Sequence, residues 1–133
     1  MTQHPIAAFL LARYDEAEQR ARATAYSQAS SVEDSWSVRQ KDRRDEMSWA
    51  VYSQGKYVKA SDLYEADARH IAAHDPVSVL ADIAAKRDVV SLCLQILDDT
   101  AIGLKTEAFA VATLKLLARP FAQHPDYQED WRP

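Results

Sequence analysis

Apolar residues recur every three to four positions over four stretches of the chain. Between the first two of these they alternate instead. Ile6, Phe9, Leu10, Arg13/Tyr14, Ala17 and Ala21 form the first helical stripe. Pro5 suits the first turn, where its missing N–H costs nothing. The pattern predicts helix 1 from Pro5 to between Thr24 and Ala29, fraying into Ser27–Ser31. Trp49 and Val51 then alternate with small or polar neighbours, and Tyr57 and Val58 suit a strand. Gly55 lies between these runs and supplies the positive φ of a tight hairpin turn. A two- or three-stranded antiparallel sheet follows, with Trp36 on the third strand. An isolated hairpin is marginal in water, so this one should pack on a helix. Arg39–Glu46 is eight polar residues in a row. With so little to bury, residues 30–46 read as a mobile loop or an exposed hairpin connection.

The second half is helical. Ser61 or Asp62 is a suitable N-cap, and Asp62 with Glu65 resembles a capping box. Helix 2 presents Leu63, Ala66, His70 and Ala73 and runs to about His74. Proline disfavours a helical residue before it, so Asp75-Pro76 marks a boundary: Asp75 caps helix 3 and Pro76 starts it. The stripe of helix 3 is Val79, Leu80, Ile83, Val90, Leu94 and Leu97, interrupted by Arg87 and closed by Gly103. Thr106 and Glu107 open helix 4, with Phe109, Ala110, Val111, Leu114, Leu117 and Ala118 on a wide apolar face. Pro120 stops it. Phe121, Tyr127 and Trp131 make the last thirteen residues too aromatic for a solvated tail, so this segment should fold back. The expected fold is α+β and mainly helical: about four helices, with a small antiparallel hairpin or three-stranded sheet between helices 1 and 2. All 133 residues fit one domain.

Composition narrows the setting. A hydrophobic content of 47% supports a core without a covalent staple. No apolar run reaches the roughly 18 residues of a membrane span. The first residues lack the basic region of a signal peptide. Cys93, between Leu92 and Leu94, is the single cysteine and reads as a buried thiol. A cytoplasmic location follows. The net charge of −4 is uneven: residues 61–133 carry −5 and residues 35–60 carry +3. Any polyanion contact should therefore fall in the middle segment.

Four groups of residues carry candidate chemistry. His70 and His74, four apart on a helix, have metal-ligand spacing. A tail folded over them would add His124 and Asp126, completing a site for zinc or another divalent metal. Otherwise His74 serves the helix dipole and His70 is a spacer; no other cofactor is expected. Arg39, Lys41, Arg43, Arg44, Lys56 and Lys59 interleave with Trp49 and Tyr57, the mixture that holds single-stranded nucleic acid. On the alternative reading the aromatics are core and the bases a solvated rim. Arg87 needs a carboxylate, either Asp82, Asp88 or one in the tail, and with Tyr127 and Trp131 it would lock the tail in place. Asp75 and Pro76 are structural. No phosphate loop, Ser-His-Asp set, paired-carboxylate cleft or cysteine metal site occurs, which points away from an enzyme.

Two segments resemble a known family. His70-Ile-Ala-Ala-His-Asp-Pro-Val-Ser-Val-Leu-Ala-Asp-Ile-Ala-Ala-Lys-Arg87 is similar to a motif His-Ile-Ala-x-His-Asp-Pro-x-x-Val-Leu-x-x-Ile-x-Ala-Lys-Arg. Leu116-Leu-Ala-Arg-Pro-Phe-Ala-Gln-His-Pro-Asp-Tyr-Gln-Glu-Asp-Trp-Arg-Pro133 is similar to a closing Leu-Leu-Ala-x-Pro-Tyr-Ala-x-His-Pro-x-Tyr-x-x-x-Trp-Arg-Pro. Both belong to a domain-of-unknown-function family of small proteins from actinobacteria and their phages. Phe121 stands where that pattern has Tyr. The resemblance implies a cytoplasmic accessory protein and supplies no activity or catalytic residue. The expected function is non-enzymatic, through contact with a host or phage protein. Nucleic-acid binding through residues 35–60 and metal binding at the histidines are the alternatives. Helix 1 and helix 4 have faces that could make a homodimer.

Overall fold

The computed structural model describes residues 4–24, 35–101 and 103–133. In chain order these form α1 (Pro5–Ala23), β1 (Trp36–Gln40), β2 (Trp49–Ser53), β3 (Tyr57–Leu63), α2 (Glu65–Ala73), α3 (Pro76–Asp98) and α4 (Leu104–Ala118). Two 3-10 turns follow, Arg119–Phe121 and Glu129–Trp131. The fold is the expected mainly helical α+β, with a three-stranded antiparallel sheet between α1 and α2 in the chain. Among the described residues no helix is long and apolar enough to cross a membrane. The expected fraying of helix 1 beyond Thr24 and residues 30–34 of the expected loop lie outside the described residues.

The described chain divides into two compact units. One is Ala17–Asp82; the other is the described residues up to Glu16 together with Ile83–Pro133. In the first unit the strands form a β1-β2-β3 meander. Val38 stands opposite Val51, and Ser53 opposite Tyr57. Gln54 and Gly55 both have positive φ, 55° and 69°. The Lys56 amide donates to the Ser53 carbonyl (3.2 Å) across them, the geometry of a type I′ turn. Ala50, Val51, Tyr52 and Ser53 on the central strand are all buried. α2 packs against all three strands and buries Ala68.

Residues 61 and 62 correct the expected start of helix 2. They belong to β3, whose pairing with β2 continues to Leu63 opposite Trp49. A bulge lies in this stretch, and Asp62 takes the left-handed conformation, φ 58°. Pairing with β2 therefore claims the segment that local propensity assigns to a capping box. Tyr64 is the N-cap residue instead and makes no side-chain cap bond. Asp75 does cap α3: its Oδ1 accepts from the Ser78 amide (2.9 Å). Its Oδ2 accepts from the Trp36 amide at the start of β1 (2.9 Å).

In the second unit α1 buries Ile6, Ala7, Phe9, Leu10, Arg13 and Tyr14; α3 buries Ile83, Val90 and Cys93. α4 buries Ala110, Leu114 and Ala118, an i, i+4, i+8 row, so its core side is narrower than the sequence suggests. It also begins two residues earlier than expected. Gly103 is its N-cap residue, and the Gly103 carbonyl accepts from the amides of Thr106 and Glu107.

Candidate interaction surfaces

The loop joining β1 to β2 is built by three short polar side chains. The Ser48 hydroxyl is shared between the carbonyls of Asp42 (2.6 Å) and Asp45 (2.7 Å). Ser48 Oγ also accepts from the Asp42 amide (3.1 Å). Carboxylates of Asp42 and Asp45 accept from the amides of Arg44 and Met47, each at 2.9 Å. These are two Asx turns closed by a buried serine. The loop holds Lys41, Arg43, Arg44 and Met47 outward, all exposed. Of the expected residues 30–46, therefore, 36–40 are strand β1 and 41–46 belong to this hydrogen-bonded loop.

The six expected basic residues divide evenly. Arg39 lies 4.0 Å over the Tyr52 ring and donates to the Gly55 carbonyl (3.0 Å). Lys56 covers Tyr57 at 5.1 Å, and Lys59 donates to the Thr24 carbonyl (3.2 Å). Trp49 is covered by Arg69, 5.6 Å away, which Glu65 holds in a salt bridge. The aromatic faces of Trp49, Tyr52 and Tyr57 are thus engaged by the chain's own cations. Lys41, Arg43 and Arg44 have no side-chain partner among the described residues.

The four candidate metal residues form two pairs. The His70 and His74 rings are exposed, 4.6 Å apart, and His74 Nδ1 lies 2.8 Å from the His70 carbonyl. His124 Nδ1 accepts from the Asp126 amide (3.1 Å) and from Arg13 Nη1 (2.7 Å). Among the described residues no group of three or more His, Cys, Asp and Glu could hold a metal ion.

Arg13 meets the tail directly. It is buried, pairs with Glu16 (2.8 Å) and lies 3.9 Å from Asp126 in the tail. The Phe9 ring beneath it meets Phe121, His124, Tyr127 and Trp131, with ring centroids 5.2–6.1 Å apart. Arg87 pairs with Asp15 on α1 (2.5 Å). Asp15 is seventy-two positions away, beyond any local pattern. Tyr127 and Trp131 do pack on each other and on Phe9. Cys93 is buried, and burial pushes its thiol pKa up, so it is a poor nucleophile.

α4 carries the two most exposed large apolar residues described, Leu104 and Phe109. Leu104 is 85% exposed, Phe109 75% and Leu116 54%. Beside Leu104 and Leu116 runs a groove of about 680 Å³, lined also by Leu97, Ala108, Val111, Ala112 and Pro133. The sequence signal for this surface was present: α4 is apolar nearly all round, the pattern of a helix covered on more than one side.

Together these features define a small α+β protein with an ordered basic loop and an uncovered apolar helix. The chain belongs to the Family of unknown function (DUF6221), whose model matches residues 3–133. No curated protein and no solved structure matches it.

Proposed function

We propose that this is a non-enzymatic accessory protein of phage or prophage origin, acting in the cytoplasm by binding another protein. The loop between β1 and β2 is the contact. The observation that supports this reading is an ordered loop that buries almost none of its side chains. Fixing a backbone costs roughly 1–2 kcal/mol per residue, and this loop recovers little of that from apolar burial. Its hydrogen bonds hold Lys41, Arg43 and Arg44 in one outward arrangement, which suits an acidic surface on a host or phage protein.

Nucleic acid is the second reading, favoured by the same three exposed cations. It ranks lower because single-strand binding draws on open aromatic faces. Here those faces lie under Arg39, Lys56 and Arg69.

The test is a pull-down from actinobacterial lysate with the tagged full chain and its Arg43→Glu/Arg44→Glu variant, alongside salt-dependent retention of single-stranded DNA and RNA. A specific protein recovered by the wild type and lost with the variant supports the proposal. Recovery of no specific protein at good expression overturns it. Salt-sensitive nucleic-acid retention that the variant abolishes shifts the reading to the second.

A further inference from the structure

The exposed face of α4 has a sequence that reads alike from both ends. Leu104, Ala108, Ala112 and Leu116 follow one another at intervals of four, so they form a single slanting row. Leucines stand at its ends and alanines in the middle, where two backbones can come close. We infer that this face is a dimer interface and that its occupant is a second copy of the chain, with the two α4 helices antiparallel.

The row is self-complementary. A two-fold axis across α4 at the level of residue 110 lays Leu104 against Leu116 of the second copy and Ala108 against its Ala112. An isologous contact needs that property, because both copies present the same residues. Charge selects the direction. Glu107 and Lys115 lie on the same flank of the row, and neither has an ion-pair partner among the described residues. Antiparallel pairing brings Glu107 to within two residues of rise, about 3 Å along the axis, of Lys115 in the second copy. Symmetry makes that contact twice. Parallel pairing about a two-fold along the helices turns this flank of the two copies to opposite edges of the contact, so Glu107 and Lys115 do not meet across it. On the opposite flank Phe109 meets its own counterpart across the axis, covering the exposed aromatic. This surface is separate from the β1–β2 loop, so it does not depend on the function proposed above.

Sedimentation of the full chain over a concentration series tests the inference, with circular dichroism as the folding control. The wild type should dimerise, and Leu104→Lys should abolish the dimer while leaving the helices intact, since Leu104 lies outside the core. Glu107→Lys and Lys115→Glu should each weaken dimerisation by about tenfold, from two symmetry-related contacts. The double swap Glu107→Lys/Lys115→Glu should restore it. A folded wild type that stays monomeric overturns the proposal. So does a dimer indifferent to Leu104→Lys, which uses another face. Failure of the double swap to restore affinity overturns the antiparallel arrangement. A monomer whose Leu104→Lys variant loses a lysate partner assigns the face to a different protein and likewise overturns it.

Discussion

Asp75 uses its two carboxylate oxygens on two different elements. One caps α3 through Ser78, and the other holds the first amide of β1. Burial alone would raise its pKa, but hydrogen bonds from the Ser78 side chain and from the Trp36 and Ser78 amides outweigh burial and hold it below the usual carboxylate value. A carboxylate depressed in the folded state stabilises the fold above its ordinary pKa. That contribution is lost as pH falls through the folded value. Asp75→Ala should cost about 1–2 kcal/mol at neutral pH through loss of the cap. The difference from wild type should shrink at pH 3 and below, as read by urea midpoints. A difference that stays constant with pH would show that the charge does not contribute. The cap was legible in the sequence because Asp, Pro and Ser sit within four positions. The partner on β1 was not, because Trp36 is thirty-nine positions away. Arg13 falls on the predicted stripe of helix 1, but its partner was not legible for the same reason: His124 is one hundred and eleven positions away.

At the scale of elements, the packing of the tail on α1 is the most heavily aromatic contact described. Trp131 is 6% exposed, and its ring lies 5.2 Å from that of Phe9. Trp131→Ala should cost about 3–5 kcal/mol, the usual range for removing a buried large aromatic. Thermal melting would show it, and a loss below 1 kcal/mol would mean that the tail is not part of the core. The return of the tail was legible from composition alone, since three large aromatics in thirteen residues do not suit a solvated segment. Helix spans were legible where an apolar period ran long, as in α3, whose stripe has a single break at Arg87. Boundaries were misplaced where another interaction competed. Ser61 and Asp62 have good capping chemistry, yet pairing with β2 takes them into the sheet. Phe109 fits the apolar period of helix 4 but points outward, because the buried row is Ala110, Leu114 and Ala118.

Over the whole molecule, the fold class was legible because helical and alternating periods occupy separate stretches. Which of the basic residues are engaged was not. A basic run looks the same whether its cations cover the chain's own aromatics or stand free, and only contacts between distant residues separate Arg39 from Arg43. Sequence distance also differs between the two units. The sheet is assembled from neighbours, with Ser53 pairing with Tyr57 and Trp36 with Ser53. The aromatic cluster around Phe9 instead needs Trp131, and the Arg13–His124 contact spans one hundred and eleven positions. Contacts close in sequence form sooner because less loop entropy is lost in closing them. Val51→Ala should therefore slow refolding, whereas Trp131→Ala should mainly speed unfolding, and stopped-flow kinetics of the two variants would separate these effects. The same separation sets an order during synthesis. The sheet can assemble as soon as its strands leave the ribosome, while Phe9, made before them, keeps its apolar face open until residue 131 has emerged.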